Sequence, residues 1–296
     1  MKKVVLSVVA ALAFSAAPAF AADMPVKAKP AAPAPAPAPS PWDVAFGTAF
    51  TTDYVLRGVS QSNHKPAVQG YFEVDYTAAD WLKLYAGVWG SSLWTGFADA
   101  EFDITAGARL TFGNFGLDVG FIQYEYPGGG GNFIGNWGEV YAKPSYKFAD
   151  WLTVGAVFET AFDNFNDKVC GGCAVVAGHW DGNAGHYFVA GNAVITLPWH
   201  PITDVTITIN PEVGYEWYSS GVNANLGFSS DTYWDVGLDF NYKAITLDLR
   251  YWDTNISNPT STYAAQCLNA GSGSTNFCGS RFVATLKFDT SLSALK

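Results

Sequence analysis

The sequence predicts an all-β fold, a transmembrane antiparallel up-and-down β-barrel of about 12 strands. Three observations predict it. Apolar and polar residues alternate from residue 42 onward, most alternating segments are 10 to 15 residues long, and their connections alternate between short and long. Soluble strands average about five or six residues, whereas a tilted membrane-crossing strand needs about 9 to 11. We expect short periplasmic turns and long extracellular loops.

The composition restricts the class of protein further. Only 14% of the 296 residues are charged, whereas 49% are hydrophobic and 16% are aromatic. An ordinary soluble domain carries about 25% charged residues. The net charge of -10 argues against nucleic-acid binding, which needs a basic surface to neutralise phosphates. The aromatic content and the lack of a triplet repeat exclude a collagen-like or wholly disordered chain.

The chain begins with the pattern of an export signal. Lys2 and Lys3 precede an apolar run at 4–22, which contains the small-residue cleavage site Ala19-Phe20-Ala21. This order of a positive start, an apolar run and a cleavage site is typical of a secretory signal peptide. We predict a signal peptide at 1–21 and a mature protein exported from the cytoplasm of a Gram-negative cell.

A Pro/Ala-rich linker is predicted at 22–41. Proline and alanine alternate through most of 30–41, which favours a polyproline II rod about 35 to 40 Å long. A semi-rigid periplasmic spacer is the favoured interpretation, and a contact with the cell wall or a periplasmic partner is the alternative. The barrel domain is expected at 42–296.

Twelve segments show the strand pattern. In one of them Phe102 and Ile104 alternate with Glu101 and Asp103, which gives one apolar and one charged face. An even number of strands is typical of single-chain bacterial barrels. The predicted strands are 43–57, 67–77, 82–93, 99–112, 115–126, 137–148, 151–163, 185–197, 204–218, 231–242, 244–254 and 280–289.

Aromatic residues are placed near both predicted ends of the barrel. Trp81 and Trp151 follow short turns in the near-repeats Ala-Asp-Trp-Leu, and Trp94, Trp217 and Trp252 lie near long loops. Tryptophan concentrates at the two interfaces of a membrane. These residues are therefore predicted to form two interfacial girdles.

The charged strand residues are predicted to face the lumen, because a base at the bilayer midplane costs about 2 to 4 kcal/mol. This inner set contains thirteen acidic and nine basic side chains, including all four arginines. Either an acidic, hydrated passage that favours cations or a lumen plugged by salt bridges fits this pattern. The candidate pore-lining or constricting residues are Asp53, Arg57, Glu73, Asp75, Glu101, Asp103, Arg109, Glu212, Asp239 and Arg250.

Two of these residues are expected on one face of the first strand. Asp53 and Arg57 lie four residues apart, which places them on the same side of a strand, and Gly58 permits a sharp exit. We expect Asp53, Arg57, Glu73 and Asp75 to form a charged cluster that constricts the pore near the first hairpin. A structural ion-pair ladder is the alternative.

The same region resembles a known family. The motif Phe50-Thr-Thr-Asp-Tyr-Val-Leu-Arg-Gly-Val-Ser-Gln61, followed by Pro66-Ala-Val-Gln-Gly70 and Tyr85-Ala-Gly-Val-Trp-Gly-Ser91, is similar to the TorF family of outer-membrane porins. The resemblance implies a proteobacterial outer-membrane barrel with a pore function. Its partners would be outer-membrane lipid and lipopolysaccharide, the barrel assembly machinery and small polar solutes. The Pro/Ala linker and the loop cysteines depart from the family pattern.

Four cysteines lie in two of the predicted long loops. Export favours disulfides, and local pairing of Cys170 with Cys173 and of Cys267 with Cys278 is the expected connectivity. The spacing of Cys170 and Cys173 also matches redox and zinc motifs, but the strand-helix context and a second ligand pair are missing. No metal site and no cofactor are expected.

The sequence thus predicts a porin-like channel for passive diffusion of small polar or ionic solutes. A structural or adhesive barrel without an open pore is the first alternative. A barrel hydrolase that uses His186 with a nearby serine or aspartate is the second, since such triads leave no sequence signature. No catalytic residue is assigned, and the protein is not expected to be an enzyme.

Overall fold

The structure is a computed structural model that describes most of the unit Ser40–Lys296. The predicted signal peptide and nearly all of the predicted linker lie outside the described residues. The described ranges are 40–94, 98–128, 136–161, 185–199, 202–218, 227–260, 265–267 and 276–295.

Fourteen strands and one short 3₁₀ helix at Ala265–Cys267 are described. Among the described residues, no helix has the length and apolarity needed to cross a membrane. The strands are β1 Trp42–Thr51, β2 Val55–Leu56, β3 Val59–Ser60, β4 Ala67–Ala79, β5 Leu82–Ser92, β6 Ala100–Phe112, β7 Phe115–Glu125, β8 Trp137–Ala149, β9 Leu152–Ala161, β10 His186–Thr196, β11 Thr206–Tyr218, β12 Asp231–Tyr242, β13 Ile245–Thr254 and β14 Arg281–Ser291.

Twelve of these strands form a closed antiparallel barrel. Each pairs with its neighbours in the chain, and β1 closes the sheet against β14, with Phe50 opposite Leu286. The remaining two strands, β2 and β3, form a small hairpin of their own. Closure removes the exposed edges that an open sheet would leave. The predicted fold class and strand number are confirmed.

The connections alternate as predicted. Two-residue turns link four strand pairs at one end, and at two of them Gly113 and Lys243 adopt the left-handed φ values of 60° and 54° that tight hairpins use. We call this the turn end and the opposite one the loop end. The loop-end connections are L1 (52–66), L2 (93–99), L3 (126–136), L4 (162–185), L5 (219–230) and L6 (255–280).

The outer surface of the barrel is apolar and its inner surface is charged. On β6, Phe102 is 51% exposed, whereas the adjacent Glu101 is 1% exposed because it points inward. The same alternation leaves Phe72, Val236 and Leu249 exposed on other strands. An apolar surface of this extent is unusual for a protein dissolved in water and suits a lipid environment.

Aromatic side chains lie at both ends of the outer surface, with one exception to the prediction. Trp81 stacks on Phe112 at the turn end with ring centroids 5.8 Å apart, and Trp217 stacks on Tyr187 at the loop end. Trp252 was predicted to lie in a girdle, and this is wrong. It shares the inward face of β13 with Arg250 and packs against Tyr233 inside the barrel.

The first strand is shorter than predicted. It ends at Thr51, whose hydroxyl donates to the carbonyl of Asp53 at 2.8 Å. The carboxylate of Asp53 then accepts hydrogen bonds from the hydroxyls of Ser60 and Ser62 at 2.6 and 2.8 Å. Such local side-chain bonds compete with a strand ladder. Asp53 and Arg57 therefore do not share a strand, contrary to the sequence-based expectation.

Placing a charge on the outer surface should be costly. We expect Leu286→Arg, at the middle of β14, to lower the free energy of unfolding by about 2 to 4 kcal/mol, because Leu286 faces outward between Phe50 and Leu247. Urea titration of the refolded protein in lipid bilayers measures this loss.

The neighbouring Thr285→Arg is the matched control. Thr285 is paired with Asp248 on the inner face, so its arginine would enter the charged lumen and should cost much less. Equal losses for both variants would contradict the assignment of the two faces.

Candidate functional site: the barrel lumen

L1 crosses the lumen at the loop end. It follows β1 in the chain, but its side chains contact strands on several sides of the barrel. Asp53 pairs with Arg281 of β14 at 3.2 Å, and the Tyr54 hydroxyl donates to Glu101 of β6 at 3.1 Å. Arg57 contacts β9, which lies six positions from β1 in both directions around the barrel. L1 therefore spans the full width of the barrel.

The side chain of Arg57 ends in a group of carboxylates on the far wall. Its Nη2 donates to Glu139 Oε2 of β8 at 2.7 Å and to Glu159 of β9, and its Nη1 donates to Glu216 Oε1 of β11 at 3.2 Å. The guanidinium lies 4.4 Å from the ring centroid of Phe188. Burial works against the charged form, but Glu139 and Glu159 raise the pKa of Arg57 well above its ordinary value.

His186 at the start of β10 links two of the same carboxylates. Its Nδ1 lies 2.8 Å from Glu139 Oε1, and its Nε2 lies 2.5 Å from Glu216 Oε1. The ring is 1% exposed and meets Trp137 edge-on at 5.4 Å. We call Arg57, Glu139, Glu159, His186 and Glu216 the Arg57 cluster. It joins L1 to four consecutive strands.

The tip of the hairpin formed by β2 and β3 lies very close to the barrel wall. Arg57 and Gly58 form the turn with left-handed φ values of 49° and 81°. A Cβ at Gly58 would lie 2.6 Å from Cγ2 of Thr254 and 2.7 Å from Cβ of Tyr233, which are wall residues. Only glycine fits this position, and positive φ at both central residues is what a two-residue hairpin turn of this type requires.

L1 is also attached to L6. The Ser60 amide donates to the carbonyl of Phe277 at 2.9 Å, and Val59 is buried against Ile256, Phe277 and the Cys267–Cys278 disulfide. The predicted pairing of these two cysteines is confirmed. Cys170 and Cys173 lie outside the described residues, so their pairing stays a prediction.

The half of the lumen towards the turn end contains a second charged network. Arg109 of β6 donates to both oxygens of Glu73 at 2.7 and 2.9 Å and also contacts Asp75 and Asp118, each at 3.3 Å. Its guanidinium lies 4.0 Å from the ring centroid of Tyr85. This two-point contact with Glu73 fixes the arginine against the wall of the barrel.

A third network covers the wall formed by β12, β13 and β14. Arg250 pairs with Asp235 and with Asp248, and Lys287 lies 3.0 Å from the same Asp248. Asp239 accepts a hydrogen bond from Asn210 at 2.9 Å. Glu212 accepts hydrogen bonds from Tyr233 and Asn192. The charged side chains of the inner face are thus ion-paired or hydrogen-bonded along much of the lumen.

Exposure to solvent differs sharply between the two halves of the lumen. At the loop end the side chains of Arg57 and Glu139 are 7% and 0% exposed. Towards the turn end those of Arg109 and Lys83 are 38% and 43% exposed. Water therefore reaches the charged wall from the turn end, whereas L1 fills the barrel at the loop end within the described residues.

The ten sequence-predicted lumen residues lie inside the barrel, but the expected four-residue cluster is divided. Asp53 and Arg57 lie in L1 at the loop end, whereas Glu73 and Asp75 bind Arg109 nearer the turn end. The two pairs therefore lie at different levels along the axis of the barrel. No single constriction is formed by these four residues.

Sequence reasoning missed the central role of several residues. Glu139, Glu159 and Glu216 were assigned to the inner face but not to the site, and Asp231 was not assigned at all. Their shared signal is position, because each lies within a few residues of the loop end of its strand. His186 was considered only for hydrolysis. It takes part in ion pairing, and among the described residues no geometry favours a catalytic triad.

Comparison with known proteins assigns a family. A family model described as "Bacterial protein of unknown function (Gcw_chp)" matches residues 35–278. The chain belongs to this family. No curated protein sequence matches the chain significantly. For the Gcw_chp family chain, the lumen geometry is therefore the main guide to function.

Solved structures of barrels show a loose likeness. The KdgM porin has 12% identity and a TM-score of 0.45, over 83% of this chain and 98% of that chain. The NanC porin has 12% identity and a TM-score of 0.43, over 84% and 98%. An outer membrane channel from Pseudomonas putida F1 has 11% identity and a TM-score of 0.45, over 86% and 97%. At these values the likeness carries no functional argument.

The Arg57 cluster should hold L1 in place. We expect Arg57→Met to lower the free energy needed to release L1 from the lumen by about 3 to 5 kcal/mol, because it leaves three buried carboxylates without their arginine. Amide hydrogen exchange across 52–66 should then accelerate, which mass spectrometry of the folded barrel measures.

Lys147→Met removes a cation of the exposed pair with Asp150 and serves as the control. It should leave exchange in L1 unchanged. Slow exchange in the Arg57 variant would show that L1 is held by other contacts.

Proposed function

We propose that this protein is an outer-membrane channel for small polar or ionic solutes, and that L1 sets the narrowest part of its lumen. One observation carries the proposal. A wall of charged side chains that is open to water at the turn end lies inside a barrel whose outer surface is apolar. Such a lumen dissolves ions and polar molecules that the surrounding lipid excludes.

The outer surface supports a membrane location. The barrel strands contain 10 to 13 residues, which is enough for a tilted strand to cross a bilayer. A closed barrel satisfies its backbone hydrogen bonds internally, as the hydrocarbon region requires. With the predicted signal peptide, this favours the Gram-negative outer membrane, with the turn end in the periplasm, the loop end outside the cell, and lipid and lipopolysaccharide around the barrel.

The sequence resemblance to the TorF family of porins fits the same proposal. Insertion of such a barrel would need the barrel assembly machinery. The linker at 22–41 would be periplasmic, as a spacer or a cell-wall contact. A porin of this kind performs no catalysis and needs no cofactor.

The distribution of charge predicts a preference for cations. Among the described residues at the loop end, acidic side chains outnumber the basic side chains that contact them, which are Arg57, His64, Lys143, His186 and Arg281. A solute that passes L1 must cross this negative region, which attracts cations. The acidic residues are Asp53, Glu101, Asp103, Glu139, Glu159, Glu216 and Asp231.

A structural or adhesive barrel without an open pore is the second candidate. The burial of L1 favours it, since Arg57, Tyr54 and Val59 are all less than a tenth exposed at the loop end. The two candidates differ in whether ions pass once L1 is out of the lumen.

Planar-bilayer recording separates the two candidates. We expect the wild type to conduct weakly at neutral pH, because L1 narrows the lumen, and a variant in which 53–65 is replaced by a short Gly/Ser turn to conduct several-fold more. Only protein with the heat-modifiable gel mobility of a folded barrel enters the comparison. A folded L1-shortened barrel that passes no ions rejects the channel function.

The charge of the lumen is tested by reversal potentials in a salt gradient. We expect Arg57→Ala to strengthen the preference for cations, because it removes a positive charge from an acidic region, and Glu73→Gln to weaken it. Selectivity equal to wild type in both variants would remove these residues from the selective part of the lumen.

A further inference from the structure

We propose that the glutamates around Arg57 form a binding site for solutes that carry a guanidinium group, such as L-arginine, and that Arg57 occupies this site until a solute displaces it. The inference rests on the proposed channel function and names the class of solute. The shape of the site, its charge, its access to water and the attachments of L1 support it.

The site matches a guanidinium group in shape. One terminal nitrogen of Arg57 donates to Glu139 and Glu159, and the other donates to an oxygen of Glu216. The ring centroid of Phe188 lies 4.4 Å from the guanidinium carbon. A planar guanidinium both donates to several carboxylates and packs on an aromatic ring, whereas an ammonium is a compact point charge. The site therefore favours guanidinium groups over amines.

Without Arg57 the site lacks one positive charge. His186 is one cation that remains, because both of its ring nitrogens lie against carboxylate oxygens and a neutral ring has only one N–H. Lys143 of β8 is the other, with its Nζ 3.0 Å from Glu159. Two cations do not balance three carboxylates, and an unpaired buried carboxylate is costly. A solute with a single positive charge restores the balance.

Two more acidic side chains border the site. Asp103 of β6 interacts electrostatically with Glu139, and Asp231 of β12 interacts with Glu216. Oδ1 of Asp103 and Oδ2 of Asp231 are buried and accept no hydrogen bond from the described residues. Each group attracts a cation when it is ionised and is neutral when it is protonated, so neither opposes the entry of a cationic solute.

The position of Arg57 leaves room for competition. Its Nη1 lies 3.3 Å from Nε2 of His186, which brings two cations together. Arg57 also has a φ of 49° at the first central position of its turn, where Asn, Asp or Gly is favoured. The backbone thus limits where this guanidinium can lie. A free guanidinium can take the same carboxylates without that constraint.

Water reaches the edge of the site from the lumen. The side chain of Lys143 is 43% exposed, and it contacts Glu159, whose side chain is 9% exposed. One side chain therefore separates the water-filled half of the lumen from a carboxylate of the site. A dissolved solute can approach Glu159 by this route.

L1 keeps attachments that do not involve the site. Asp53 binds Arg281 of β14, and Ser60 and Val59 contact the disulfide-closed L6 beside it. The carboxylates around Arg57 lie on β8, β9 and β11, on the other side of the barrel. The displaced hairpin tip can therefore move away from the site while L1 stays anchored, so solute binding is expected to loosen L1.

Isothermal titration calorimetry of L-arginine with the folded, full-length barrel in detergent tests the site. The wild type should bind weakly, because the solute competes with a tethered side chain whose effective concentration is on the order of millimolar. Arg57→Ala removes this competitor and should bind L-arginine at least about tenfold more tightly. L-Citrulline has a neutral ureido group in place of the guanidinium and should bind to neither protein.

Two substitutions in the Arg57→Ala background locate the binding. Glu159→Gln removes a carboxylate of the site and should weaken the binding of L-arginine at least about tenfold, as the loss of a charged hydrogen bond does. Glu73→Gln is the matched control, because it makes the same change in the ion pair with Arg109 nearer the turn end. It should leave the affinity unchanged.

Hydrogen exchange of 52–66 in the wild type tests the displacement of Arg57 without any substitution. L-Arginine at about 50 mM, well above the effective concentration of the tether, should accelerate this exchange several-fold. L-Citrulline at the same concentration and ionic strength should not. If Arg57→Ala lacks the heat-modifiable mobility of a folded barrel, this measurement decides the proposal.

The outcomes separate the binding site from the channel. Equal affinity for L-arginine and L-citrulline, or binding by Arg57→Ala that is no tighter than that of the wild type, overturns the site. Exchange in L1 that L-arginine leaves unchanged overturns the displacement of Arg57. Neither readout needs an ion current, so a folded L1-shortened barrel that never conducts overturns the channel function separately.

Discussion

The requirement to keep ionised side chains away from lipid organises this molecule. Because a strand alternates its side chains with a period of two, the charges that the outer surface cannot hold are brought together inside one closed barrel. Acidic residues are in excess there, and three of the four arginines each contact several carboxylates. Arg57 and Arg109 contact three each, and Arg250 contacts two.

The same pairing has different consequences at the two ends of the lumen. Near the turn end the lysines and Arg109 remain partly in water, where an ion pair contributes little to stability. At the loop end L1 removes water from the Arg57 cluster, so separating its charges is expensive. Arg57, which belongs to no barrel strand, thereby makes a buried electrostatic contact across the lumen.

Local pattern was enough to predict the barrel, the inward direction of Glu101 and Asp103 and the pairing of Cys267 with Cys278, which lie 11 residues apart. It was not enough for L1. Whether β1 continues past Thr51 is decided by partners of Asp53 that include Arg281, 228 residues later. The glutamates that bind Arg57 are 82 to 159 residues away. The prediction for Trp252 was wrong because it relied on the closeness of this residue to a loop. Trp252 lies two residues from Arg250 on the same strand, so the two side chains face the same side of the sheet.

The long-range contacts of L1 also impose an order on assembly. The hairpin is synthesised before every strand that supplies the carboxylates for Arg57, and Arg281 of the last strand completes the site for Asp53. The eleven-residue separation of Cys267 and Cys278 lets that crosslink form while the strands are still unpaired. L1 therefore has its full set of partners only when the strands that follow it in the chain have joined the barrel. One of the first segments to be made thus depends on the last strand for its position.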